Sequence, residues 1–225
     1  MERVNHAAVY NSLFYSDFVA SNFKDRMIKK FLKRVFNKVS KPKLVGNAQV
    51  IQFKAHGVAR EQISFGALKV ADNISLSVAQ GETLGILGPN GAGKTTLFNL
   101  ISGDLHAERG RVLLGGEDIS SQAPHRRCRL GIGRSYQIPQ PFGAMTVFEN
   151  LVAAASFGAQ LREPDTYGRC VEILRETGLL PKANRLAGSL TLLDRKRLEL
   201  ARALATQPKV LLLDEIAGGL TEHEA

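Results

Sequence analysis

Nine consecutive residues, Gly88-Pro89-Asn90-Gly91-Ala92-Gly93-Lys94-Thr95-Thr96, fit the pattern Gly-x-x-x-x-Gly-Lys-Thr. Glycines at this spacing permit positive φ and let the backbone come close to a ligand, so successive amides can wrap an anion. A lysine at the end of the turn adds a full positive charge to the partial charge of a helix N-terminus, and the next hydroxyl suits a magnesium ion that bridges phosphates. The chemistry implied is the cradling of a nucleotide's phosphate chain, with Lys94 on the phosphates and Thr95 on the metal.

A second pair of residues can turn binding into hydrolysis. The segment 209–215 (KVLLLDE) has four consecutive apolar residues ending in two carboxylates, the pattern of a strand buried on both faces with acids at its carboxyl end. Open α/β sheets hold their ligands at that end. Asp214 suits magnesium, directly or through water, and Glu215 suits a general base that polarises a water attacking the γ-phosphate.

The elements that must position these groups are legible nearby. The run 82–87 (ETLGIL) is short and apolar, and 94–101 (KTTLFNLI) has helical spacing, so the glycines fall where a strand turns into a helix. Thr146-x-x-Glu149 is a capping box ahead of the apolar run 151–157 and predicts a helix start there. A further helix is predicted over 166–177, with Val171 and Leu174 on its inner face and Gly178 ending it.

In these motifs and their order, the chain resembles the nucleotide-binding subunit of ABC transporters over about residues 48–225. The resemblance implies an α/β P-loop NTPase of ABC type, with a mixed sheet core and a small helical subdomain at about 138–200. The ATPase domain then spans 46–225, preceded by an extension over 1–45. It implies that Phe65 stacks on adenine, where an ordinary core phenylalanine is the plainer reading. Gln137, in GIGRSYQ, matches the glutamine that touches magnesium and the attacking water and relays nucleotide state to a membrane partner; a surface amide is the alternative. GPNGAGKTTLFNLISG, SYQIPQPFGAMTVFENL and RKRLELARALATQPKVLLLDE look like the ATP-binding subunit of importers for branched-chain amino acids and related polar solutes. The implied cofactors are ATP and Mg2+. The implied partners are membrane permease subunits docking in a groove near Gln137, and a second ATP-binding subunit, identical or not.

Two stretches depart from the family pattern. Leu190-Thr191-Leu192-Leu193-Asp194 stands where the family has Leu-Ser-Gly-Gly-Gln. Thr191 keeps a hydroxyl that could reach nucleotide across a dimer, but two leucines add bulk where glycines let the backbone approach. After Asp214-Glu215 come Gly218-Gly219-Leu220-Thr221, with Thr221 for the usual aspartate, and the family's later switch histidine has no counterpart; His223 follows the carboxylates too soon. In such ATPases the strand after the two acids inserts between them and the phosphate-loop strand. The expectation is therefore a C-terminally incomplete chain with its final strands missing, a gap in the middle of the parallel sheet, and little activity alone.

Composition bounds the rest. At 225 residues and 44% hydrophobic content the chain suits one α/β core. Cys128 and Cys170 make no disulfide framework and no Cys/His metal spacing occurs, which points to a reducing compartment. No run approaches a membrane span and no cleavable leader is visible. The expected place is the cytoplasmic face of the inner membrane, held there by partners.

The net charge of +9 is uneven: residues 1–45 hold ten Lys/Arg and three Asp/Glu, and the remainder is close to neutral. Within 21–39, Phe23, Met27, Ile28, Phe31, Val35 and Val39 recur at helical spacing, with lysines and arginines largely off that stripe. Such a basic amphipathic helix can lie on an anionic membrane or in a partner's groove; a solvated tail is the other reading. Three functions stay open: a transporter's ATP-hydrolysing subunit, a non-transport relative acting on nucleic acid or ribosomes, and an inactive fragment. A single ATPase unit counts against the second, because soluble relatives usually join two, so nucleic acid is not the expected partner.

Overall fold

The computed structural model describes residues 7–11, 49–56, 74–88, 91–107 and 109–214. Within them lie eight strands, β1 (Ala7–Asn11), β2 (Gln49–His56), β3 (Ile74–Ala79), β4 (Thr83–Ile86), β5 (Arg109–Leu114), β6 (Glu117–Asp118), β7 (Ile132–Ser135) and β8 (Val210–Asp214). Five α-helices accompany them, α1 (Lys94–Ser102), α2 (Pro124–Leu130), α3 (Val147–Gly158), α4 (Glu163–Glu176) and α5 (Leu192–Ala205). The mixed β core divides into two four-stranded sheets. One is antiparallel in the order β3-β2-β5-β6, and the other is parallel in the order β4-β1-β8-β7.

The parallel sheet has no gap. β1 lies between the phosphate-loop strand β4 and the acid-bearing strand β8, with Val9 in register with Leu84 on one side and Leu212 on the other. This corrects the expectation of an empty slot. Two parallel strands facing each other across a vacancy would each leave a row of backbone donors and acceptors without partners, and a short apolar segment of the same chain, AAVYN, supplies them. Part of the stretch read as an N-terminal extension thus lies inside the sheet.

β8 is the seam between two cores. Side chains of a strand alternate between faces, and here both faces are covered. Val210 and Leu212 join Leu97, Phe98 and Ile101 of α1 and Val112 and Leu114 of β5. Leu211 and Leu213 join a second cluster formed by Val147 and Leu151 of α3, Ile173 and Leu174 of α4, and Leu198 and Ala201 of α5.

The helices begin and end where local chemistry allows. Thr146 caps α3 as expected: its Oγ1 accepts the Glu149 N–H at 3.1 Å, and the Glu149 carboxylate accepts the Thr146 N–H at 2.7 Å. α4 begins at Glu163, three residues before the expected start, because Pro164 in the first turn has no N–H to satisfy. Leu174 is fully buried as predicted, whereas Val171 is half-buried and Cys170 and Ile173 take the innermost positions. Gly178, at φ 74, follows the last turn. α1 ends against Arg127, whose buried guanidinium donates to the carbonyls of Leu100 (2.7 Å) and Ile101 (3.0 Å). A cation at a helix C-terminus meets both the free carbonyls and the negative end of the dipole.

Candidate nucleotide site

The glycine-rich segment expected to hold phosphate runs from the end of β4 at Ile86 to the start of α1 at Lys94. Gly91 (φ 80) and Gly93 (φ 85) hold left-handed conformations that other residues resist, and Gly93 is the N-cap of α1 with no side chain capping the first amides. Those amides are left to meet an anion. Lys94 is largely buried and its ammonium donates to the Gly88 carbonyl at 2.6 Å, folding the side chain back over the loop. A phosphate chain would take over that ammonium. Gly88 is half-buried and a Cβ there would come within 3.2 Å of Ala92 Cβ; Ala92 and Thr95 are exposed and Thr96 is half-buried. Pro89, Asn90, Phe65 and Glu215 lie outside the described residues.

Asp214 ends β8 at 1% exposure, and its N–H donates to Ser135 Oγ at 3.3 Å. Asn11 of β1 is in register with Asp214 and with Ile86, two residues before Gly88, so three strands present their carboxyl ends together. The oxygen donors nearby, the Thr95 hydroxyl, the Gln137 amide and the Asp214 carboxylate, are hard ligands. Among the described residues no cluster of three or more His, Cys, Asp or Glu collects. That donor set fits a magnesium ion that completes its shell with phosphate oxygens and water, and does not resemble an all-protein cage.

Gln137 is exposed in the segment after β7, and both ends of that segment are tied to α5. The buried Glu199 carboxylate accepts the backbone N–H groups of Tyr136 and Gln140; burial raises its pKa, opposed by Arg202 and by those amides. Arg202 Nη1 donates to Gln140 O at 2.9 Å and to Glu199 Oε2 at 3.1 Å. Behind the segment, a groove of about 600 Å³ is lined by Tyr136, Phe142, Met145, Ala154 and Phe157, with Arg129 and Arg202 at its side. Phe142 and Phe157 are exposed.

Thr191 belongs to the helical half. It is the N-cap of α5: its Oγ1 accepts the Asp194 N–H at 3.3 Å and donates to Asp194 Oδ2 at 3.1 Å. Asp194, at the last position of the departed signature, also takes a hydrogen bond from Lys182 and an ion pair from Arg197 at 3.6 Å. Burial would raise its pKa, but the hydrogen bonds of Lys182 and Thr191 and the charges of Lys182 and Arg197 hold it below the ordinary carboxylate value. Leu192 and Leu193 form the first turn of α5, with Leu192 half-exposed at 49%.

Three polar residues at the site escaped the sequence reading: Arg134, Glu199 and Arg202. Arg134 carried one signal, a charge inside a strand otherwise fit for burial, which requires a partner.

The sequence profile of the ABC transporter family matches residues 71–218. This chain belongs to the ABC transporter family. Its relatives include the lipopolysaccharide export system ATP-binding protein LptB of Haemophilus influenzae, 38% identical over 70% of this chain and 65% of that protein. The high-affinity branched-chain amino acid transport ATP-binding protein LivG of Escherichia coli is 36% identical over 71% of this chain and 68% of LivG. The chain thus spans about two thirds of the length of these ABC relatives. Among solved structures, the ADP conformation of MJ1267, an ATP-binding cassette of an ABC transporter, superposes with a TM-score of 0.66 at 32% identity, covering 78% of this chain and 72% of that one. Members of the ABC family are ATP-binding ATPases, and the cassette fold of the described residues is theirs. A lipopolysaccharide export protein and a branched-chain amino acid transport protein stand side by side among the relatives, so similarity alone does not select a solute. No helix among the described residues is long and apolar enough to cross a membrane.

Proposed function

We propose that this chain is the ATP-binding and ATP-hydrolysing subunit of an ABC importer for branched-chain amino acids or related polar solutes. The observation that carries the reading is a phosphate loop on β4 and α1 beside the buried acid of β8, with the Gln137 segment leading from that site to an apolar groove. In this reading the loop amides and Lys94 hold the phosphates. Thr95, Gln137 and Asp214 hold magnesium, which when bound screens the phosphate charge. Glu215 accepts a proton from the attacking water, and Phe65 stacks on adenine. Catalysis is then mostly positioning and charge stabilisation.

The groove is the docking place of a permease helix. Its apolar floor suits an amphipathic helix, and Glu199 and Arg202 connect it directly to the segment bearing Gln137. A second ATP-binding subunit completes the motor across Thr191, and residues 21–39 meet the anionic cytoplasmic face of the membrane. The solute follows the likeness to LivG and the motifs around Gln137, not any residue that touches it.

The experiment pairs ATP binding with uptake. Lys94→Ala should lower ATP affinity by about tenfold to a hundredfold, the weight of a charged hydrogen-bonding partner. It should also abolish uptake of labelled leucine by cells that depend on this chain. Equal ATP affinity in variant and parent refutes the loop assignment; lost binding with unchanged leucine uptake refutes the importer reading alone.

A further inference from the structure

The side chain of Arg134, carried on β7, is only 6% exposed, and its guanidinium has close neighbours on several sides. Nη1 donates to Asp104 Oδ2 and to Ser102 Oγ, both at 2.8 Å. Ser102 Oγ in turn donates to Asp104 Oδ2 at 2.6 Å, and the Tyr136 hydroxyl also bonds Asp104. The plane rests 4.6 Å from the Tyr136 ring centroid. The other arm of the fork, Nη2, is 3.8 Å from Asp214 Oδ2. One arginine therefore has a firm anchor at the far end of the phosphate-loop helix and a looser ion pair with the carboxylate that suits magnesium.

We propose that Arg134 is a stand-in counter-ion for the metal: it neutralises Asp214 while magnesium is absent, and Asp104 with Ser102 holds it in place once magnesium takes the carboxylate. The inequality of the two arms is the argument. A pair built only for stability would place the short contacts on the most buried acid, which is Asp214, yet they go to the partly exposed Asp104, whose side chain is 31% exposed. A carboxylate buried to 99% carries a heavy desolvation cost that needs a cation beside it, and a cation at 3.8 Å meets that need without occupying the carboxylate. The binding of magnesium then places a closer cation on Asp214 beside the one already there. The arginine stays fixed, so the strand leading to Gln137 keeps its position as the metal binds.

This rests on Asp214 as a magnesium residue, and the test separates the two claims. The readout is the unfolding midpoint of the purified full chain with saturating ATP, measured with EDTA and with Mg2+. Arg134→Gln should unfold earlier than the parent in EDTA, and the rise on adding Mg2+ should be roughly double the parental rise, because metal now relieves an acid that has lost a cation. Arg134→Lys, which keeps the charge, should show the parental rise. Asp214→Asn should lose most of it. If Arg134→Gln gives the parental rise while Asp214→Asn loses it, the counter-ion proposal fails and the metal reading stands. If Asp214→Asn keeps the full rise, both fail. Should Arg134→Gln alone not fold, Arg134→Gln with Asp214→Asn, which removes both charges, must regain a cooperative transition in EDTA; its failure to do so overturns the proposal.

Discussion

The helical half and the parallel sheet of this chain are assembled in opposite ways. The helical half, from Thr146 to Ala205, is continuous: α3, α4 and α5 follow one another, each opened by its own cap or proline and packed on its neighbours. The parallel sheet gathers four short strands from residues 7–11, 83–86, 132–135 and 210–214, and none pairs with the next in sequence except through long excursions. Local signals therefore suffice for the first and cannot suffice for the second. Sheet strands of four or five residues are held by register with distant partners, and the cost of closing such loops is met only when all of them meet.

This contrast predicts that backbone damage in the sheet costs more than the loss of a cap in the helices. Val9→Pro should cause the largest loss, more than about 3 kcal/mol, because it removes a donor from a strand with neighbours on both sides. Urea unfolding measures it, and a midpoint equal to the parent's would remove β1 from the sheet. Gly103→Ala comes next at about 2–3 kcal/mol: φ there is 89, and the added Cβ would lie 2.8 Å from Arg127 Nε, disturbing the cap of the phosphate-loop helix. An ATP-binding loss beyond that of global unfolding would show that the far end of α1 steadies its near end.

In the helical half, Asp194→Asn should cost about 1–2 kcal/mol at neutral pH, since Lys182 is partly exposed and solvent weakens the pair. Its folded pKa is lowered, so its contribution is complete above the ordinary carboxylate pKa near 4 and is lost as the pH falls through the lower folded value. The variant should accordingly show a flatter acid limb of stability, and an unchanged limb would contradict the pairing. Thr146→Ala should have the smallest effect, about 1 kcal/mol, read from the same urea transitions. A larger loss from Thr146→Ala than from Val9→Pro would invert the comparison.

What could be read beforehand follows the same divide. The start of a helix at Lys94 behind Gly91 and Gly93, the capping box and the burial of β8 are patterns within a few residues, and each stands where expected. The placement of β1 was not legible, because its partners lie some 75 and 200 residues away and AAVYN carries no mark of which edge it will meet. The roles of Arg127, Glu199 and Arg202 were hidden for a related reason: each binds main-chain carbonyls or amides, and a backbone partner has no residue type to recognise. Departures in Leu190 to Asp194 were visible as departures, yet the use of Asp194 as the partner of Lys182, twelve residues earlier, needed the fold.

The strand order also sets a timetable during synthesis. β1 leaves the ribosome before the other described strands, but one of its two neighbours, β8, follows roughly 200 residues later, a delay on the order of 10–40 s at ordinary elongation rates. Until β4 is made residues 7–11 have neither neighbour, and from then until β8 is made they can pair on one side only, so the nascent chain carries a half-satisfied strand that any passing edge could claim. Slowing translation before residue 210 should therefore lengthen the time for which a chaperone is needed, while leaving the helical half indifferent.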